Sequence, residues 1–269
     1  MAMPEAGQPL FVHVGNTHTV LALAGTTEAF RKCVLPTPRS PAEVEALQRE
    51  PACRELLDAA GACYLGGVVP EAMQLLAQRL PVQPLQSLSR RRAASLLDMD
   101  YNPPDSLGFD RLCKLLAAAA MHPGETTIVV DMGTATTIDL LLEARRFAGG
   151  LVMPGEQACL DALHAATALL PQLEAGGGEA YRSAGVGTKT SECMHLGVDA
   201  MIVGGLRQAL DGLLSAHPGA GLLITGGGAE RFLPVLQGLY PLRYEADLVL
   251  RGMQVLAGLE IAALGRGVP

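Results

Sequence analysis

A chain of 269 residues is long enough for one large domain or two small ones, and 49% hydrophobic against 17% charged residues excludes wholesale disorder. The net charge of −7 argues against broad binding to nucleic acid or to an anionic membrane, both of which need a basic face. The expected partners are small molecules or other proteins.

The first residues, MAMPEAGQP, have neither a basic n-region nor an apolar h-region, so no secretory signal is expected. Residues 10–24 read as a β-hairpin: LFVHV, a turn at GNT, and TVLALAG. Residues 41–60 read as helical, with Pro51 interrupting the pattern. CYLGGVV (63–69) reads as a short buried strand, followed by a helical stretch to about Leu80. Residues 81–107 read as irregular, and their Arg90-Arg91-Arg92 run reads as a solvated face. A helix is expected from near Asp110 to Pro123, then a second hairpin, TTIVVDMGTATTIDLLL, and a further strand, RFAGGLVM. Pro154-Gly155 turns into the helix EQACLDALHAATALL, ended by Pro171. Residues 174–188 read as a glycine-rich loop, and Thr190–Ala216 as a long amphipathic helix stopped by His217-Pro218-Gly219. LLIT (222–225) is a buried strand running into GGGAERFLPVL, a glycine turn opening a helix, and a last helix spans about 250–263. No apolar run reaches the ~18 residues of a membrane span.

The two hairpins align without a gap from Val12 and Val130. Gly15 falls on Gly133, Thr19 on Thr137, Leu23 on Leu141, and His13 on Asp131. The order of elements repeats too, which predicts an internal duplication of α/β halves, 1–122 and 123–269, divided near HPGET.

Gly15-Asn16-Thr17 and Gly133 to Thr136 are small-residue turns between apolar strands. Glycine lets another group approach the backbone, and Thr, Asn and turn N–H groups can donate to phosphate oxygens. Either turn alone is ordinary; their repetition favours a clamp for a polyphosphate. The third glycine element, with Gly226 and Gly227, could pass a base or ribose or serve only as a connection. Neither a P-loop nor G-x-G-x-x-G is present. In YNPPDSLGFDRL (101–112) the prolines fix an extended entry and Gly108 permits a turn. Asp110 reads equally as a helix N-cap and as a general base beside the anion-binding Arg111. The six cysteines (Cys33, Cys53, Cys63, Cys113, Cys159, Cys193) lack C-x-x-C or zinc spacing and are expected as free thiols in a reducing cytoplasm. His18, His122, His164, His195 and His217 read as structural.

Taken together, GNT-x-T-V-L, YNPP-x-x-LG-x-DR, VVD-x-GTATTID, GG-x-x-x-PG and ITGG resemble the type III pantothenate kinases, the Bvg accessory factor family, within the actin–hexokinase superfamily. The resemblance covers nearly the whole chain. It implies a duplicated actin-like, ribonuclease H-like α/β fold with a nucleotide cleft between the halves. It also implies ATP-dependent phosphorylation of pantothenate, Mg²⁺, a monovalent cation (K⁺ or NH₄⁺) and a cytoplasmic homodimer with pantothenate near the subunit interface. By position, it makes Asp110 the catalytic base. Tyr101, Gly108, Arg111 and Thr190 become substrate contacts. Gly15, Asn16 and Thr17 form the first phosphate turn, Gly133, Thr134 and Thr136 the second, and Asp131 stands on the cation side. Gly226 and Gly227 match the adenosine side.

One position departs from the resemblance. The family pattern puts Asp before x-G-N-T, where this chain has His13. Mg²⁺ prefers oxygen ligands, so an imidazole is a poor substitute. Three readings follow: a kinase whose Mg²⁺ is held by phosphates and Asp131, a weakened kinase, and a nucleotide- or pantothenate-binding regulatory protein without turnover. Another small-molecule kinase of the superfamily is the further alternative, against which the Tyr101 to Arg111 segment argues.

Overall fold

The computed structural model describes residues 7–24, 29–99, 101–103, 106–176 and 185–258. It forms two compact units. One comprises the chain to Pro123 and again from Asp247; the other is Gly124–Ala246.

The first unit opens with β1 (Gln8–Val14), β2 (His18–Ala24) and β3 (Phe30–Pro36). The strand β3 was not expected from the sequence; its FRKCVLP pattern mixes charges with apolar residues because it is the edge of the sheet. Two helices follow, α1 (Pro41–Arg49) and α2 (Pro51–Ala59). Pro51 begins the second helix instead of breaking one, since a first-turn proline forfeits no helical hydrogen bond. Ser40 caps α1 by accepting from the Glu43 N–H at 3.3 Å. Next come β4 (Ala60–Gly67) and α3 (Pro70–Arg79). The stretch expected to be irregular holds β5 (Leu85–Ser87), α4 (Arg90–Ser95) and β6 (Asp98–Met99). Ser89 caps α4, so the arginine run is an exposed helical turn. The helix α5 (Phe109–Met121) completes this part of the chain.

The sheet order is β3-β2-β1-β4-β5, with β1–β2 and β2–β3 antiparallel and β1–β4 and β4–β5 parallel. Alternation sets the two faces of β1. Leu10, Val12 and Val14 enter a core with Val44, Leu56 and Leu76. On the other face Phe11 stacks on Tyr64 at 5.3 Å, and the Phe109 ring of α5 covers Gly66 so closely that a Cβ there would collide with it.

The second unit holds β7 (Thr127–Met132), β8 (Ala135–Leu142), β9 (Arg146–Pro154), α6 (Glu156–Ala166), α7 (Thr190–Ala216), β10 (Gly221–Thr225), α8 (Leu233–Leu239) and β11 (Arg243–Tyr244). Its strands run β11-β10-β7-β8-β9, with β7–β8 and β8–β9 antiparallel and β10 parallel to both β7 and β11. This is the first unit's arrangement again. The fold is the duplicated actin-like α/β fold that the motifs imply. The core here gathers Val130, Ile138, Leu160, Leu206, Ile224 and Phe232.

Three expectations change. The glycine turn after β10 does not open directly into a helix, because α8 starts only at Leu233. The gapless hairpin alignment slips in its return strand. Val14 pairs with Thr19, but Met132 pairs with Thr136, because one residue, Thr134, stands between Gly133 and Ala135 where Asn16 and Thr17 stand between Gly15 and His18. Thr19 therefore corresponds to Thr136 and not to Thr137. Finally, the last helix, α9 (Leu248–Leu256), belongs to the first unit and not to the second half. Gly252 lies so close to the Cys113 carbonyl that only a residue without a side chain fits. Residues 259–263 of that expected helix, and part of the glycine-rich loop, lie outside the described residues. Among the described residues no helix is long and apolar enough to cross a membrane. Cys193 is exposed and the other five cysteines are buried; all six are free, and burial pushes the Cys63 thiol up to about 12.

Candidate active site

In the first unit the turn Gly15-Asn16-Thr17 is braced from behind. Gly15 N–H donates to the His18 carbonyl at 2.9 Å, Thr37 Oγ1 to the Gly15 carbonyl at 2.7 Å, and Arg39 Nη2 to the Asn16 carbonyl at 2.8 Å. The carbonyls are thus held, and the exposed Asn16 and Thr17 face solvent. His13, one residue before the end of β1, pairs with Val20 and with Gly66. It shares the sheet face of Phe11, beneath α5.

The helix α5 starts where β4 and its glycines leave room. Gly108, in extended geometry, is its N-cap, so Asp110 lies inside the first turn and is not the cap. Asp110 Oδ1 accepts from the Arg111 N–H at 2.9 Å. Its Oδ2 faces Lys114 Nζ at 3.9 Å, where the lysine is 1% and the aspartate 35% exposed. The buried Arg111 guanidinium lies over the Tyr101 ring at 5.8 Å. Gly108, Asp110, Arg111 and Tyr101 are therefore together. Lys114 was missed in the sequence, although its i+4 spacing from Asp110 carries the signal.

In the second unit Asp131 sits at the position of His13 in the first, pairing with Thr137 and, in parallel, with Thr225. Its Oδ1 lies where a Cβ on Gly226 would intrude, and Gly226 has φ +97°, so glycine is required there twice over. The Gly228 N–H donates to the Met132 carbonyl at 2.8 Å, folding the glycine turn against the end of β7. Gly133, Thr134 and Gly227 are exposed, and nothing lies within 4 Å of the space beside Gly227. Thr136 is not in the turn: it has entered β8 and is buried. Asp139, on the same face of β8 as Thr137, is 0% exposed and was also overlooked.

Thr190 begins α7 and is exposed. Its helix end is held by Glu192, whose Oε2 accepts from the Thr188 N–H at 3.0 Å and from Thr188 Oγ1 at 3.2 Å. These bonds, the backbone one foremost, lower the Glu192 pKa. Thr190 lines an apolar cavity of about 620 Å³ between α6 and α7, with Leu163, Leu170, Met194, Val198 and Met201. Among the described residues no group of three or more His, Cys, Asp or Glu could hold a metal ion.

The profile of the type III pantothenate kinases matches residues 9–211, from the first hairpin into α7. The chain belongs to the type III pantothenate kinase family. It is 29% identical to the type III pantothenate kinase of Chlorobium luteolum over 266 residues, 95% of this chain and 96% of that one. It is 31% identical to that of Deinococcus radiodurans over 264 residues, 91% and 94% of the two chains. A 2-dehydro-3-deoxygalactonokinase structure from Sinorhizobium meliloti superimposes with a TM-score of 0.57 over 97% of this chain and 98% of that one. At 14% identity that likeness concerns the fold alone. The family profile spans both hairpin turns and the α5 cluster, and stops before the glycine turn of Gly226 and Gly227. For that turn the likeness to the pantothenate kinases rests on the longer alignments.

Proposed function

We propose that this chain phosphorylates pantothenate with ATP to give 4′-phosphopantothenate, the first step towards coenzyme A. The observation that carries the reading is the first turn of α5, where Asp110, Arg111 and Tyr101 converge in a chain of this family.

Phosphoryl transfer asks the protein mainly for positioning and charge neutralisation. Asp110 Oδ1 is held by its own helix, and Oδ2, 3.9 Å from Lys114 Nζ, takes the proton of the pantothenate hydroxyl. Arg111, whose guanidinium lies over the Tyr101 ring, receives the pantothenate carboxylate. Thr190 contacts the same substrate. Asn16, Thr17 and Thr134, with the N–H groups of their turns, donate to the phosphates, and Gly226 and Gly227 let the adenosine approach. Asp131, a carboxylate beside the second phosphate turn, would hold Mg²⁺, which prefers oxygen ligands and is commonly bound through one or two carboxylates. When bound it would neutralise charge on the transferring group. A monovalent cation, K⁺ or NH₄⁺, belongs on the same side, and the working form is a cytoplasmic homodimer.

His13 supplies no carboxylate to the first turn, and this observation favours a second reading, in which ATP and pantothenate bind without turnover. Release of ADP from ATP, Mg²⁺ and K⁺, with and without pantothenate, separates the two. The natural chain is expected to release ADP only when pantothenate is present, and His13→Asp to release it faster. Silence of the natural chain with recovery in His13→Asp establishes the binding protein. Silence of both, or phosphorylation of a sugar or acetate in place of pantothenate, overturns the substrate assignment.

A further inference from the structure

The second unit contains an ion triad that the proposed chemistry does not use. Arg231 grips Asp199 with both ends of its guanidinium, Nη1 to Oδ1 at 2.5 Å and Nη2 to Oδ2 at 2.6 Å. Nη1 also donates to Glu156 Oε1 at 3.0 Å, and the guanidinium lies over the Phe232 ring at 5.3 Å. Asp199 is 2% exposed, and the other two side chains are nearly buried. Charges this deep are tolerated only when paired and hydrogen-bonded, and apolar residues of similar volume often hold a fold equally well.

The placement of the three residues suggests what the arrangement serves. Arg231 ends the segment that begins with the glycine turn, Gly226 to Gly228, itself bonded to the end of β7. Glu156 is the first residue of α6, immediately after Gly155. The Gly155 N–H donates to the Thr134 carbonyl at 3.2 Å, and a Cβ on Gly155 would collide with the Gly133 carbonyl. The path from Gly133-Thr134 through Gly155 and Glu156 to Arg231, and back through the glycine turn to Met132, closes on itself beside Asp131, whose Oδ1 lies next to Gly226. Asp199 anchors that ring to α7. Glu156 Oε1 further accepts from the Gly176 N–H at 3.0 Å.

We propose that Arg231, Glu156 and Asp199 are positioning residues that fix the second phosphate turn and the glycine turn at one spacing, so that the nucleotide half-site is formed before ATP arrives. A planar fork with two fixed bonds sets a geometry that a flexible ammonium does not. The inference rests on the reading of these two turns as ATP contacts.

Equilibrium binding of ATP with Mg²⁺, measured by calorimetry, tests it independently of turnover. Two variants are needed: Arg231→Lys, and the combined Arg231→Met, Asp199→Leu, Glu156→Gln, which removes every charge while keeping volume and the acceptor for Gly176. Each is expected to retain cooperative unfolding and pantothenate binding yet to bind ATP at least tenfold more weakly. Either variant, folded and binding ATP within twofold of the natural chain, reduces the triad to scaffolding and overturns the inference. If the natural chain itself binds no ATP, the nucleotide reading and this inference fall together. If the combined variant does not fold, Arg231→Lys alone decides.

Discussion

Asp110 and Lys114 are one helical turn apart and answer two different questions, one of chemistry and one of stability. Asp110→Asn removes the proposed base and is expected to lower turnover by about 10²–10⁴-fold, with ATP binding unchanged. It also removes the carboxylate 3.9 Å from a 1%-exposed ammonium, so the variant should unfold more readily in urea. Adding Lys114→Met removes that ammonium. The double variant should recover stability and not turnover. Recovery of both would show that Asp110 only balances Lys114. Asp110, Arg111 and Asp131 were legible in the sequence because each stands in a short motif with a physical role at a turn or helix start. Lys114, Asp139 and Asp199 were not. Their identities are common, and only the fold reveals that each charge has been taken out of water.

The elements place these residues, and two of them expose how. At Gly252, α9 and α5 touch backbone to backbone, so Gly252→Ala must push a methyl into the Cys113 carbonyl. Overpacking of this kind costs about 1–3 kcal/mol, which should lower Tm by several degrees. Because the strain enters through α5, pantothenate turnover should fall more than ATP binding does. At the start of α7, Glu192 accepts from Thr188, and its pKa is lowered in the folded chain. Its contribution is therefore complete above the ordinary glutamate range and is lost as pH falls through the lower folded value. The Tm difference between the natural chain and Glu192→Gln should be widest near neutral pH and vanish in acid. Elements with strong periodicity or firm stops, such as α7 between Lys189 and His217, were readable from the sequence. The strand β3 and the short pieces between 81 and 107 were not, since edge strands and capped single turns carry too few residues to show a period.

At the scale of the molecule, the repeated hairpin announced the duplication, and five strands of each sheet repeat the same order. The slip came from a single residue: a turn one position shorter in the second hairpin shifts every later pairing, which a gapless comparison of sequences conceals. The second fold-level difference, the return of α9 to the first unit, has a consequence for how the chain is made. The second unit is one uninterrupted stretch, Gly124–Ala246, while the first is complete only when residues from Asp247 onward join it. Domains commonly mature in the order in which they leave the ribosome. Here the order is inverted. The segment translated first waits, with the α5 surface uncovered, for the segment translated last, and a ribosome that stalls late in the message leaves the first unit unfinished and the second whole.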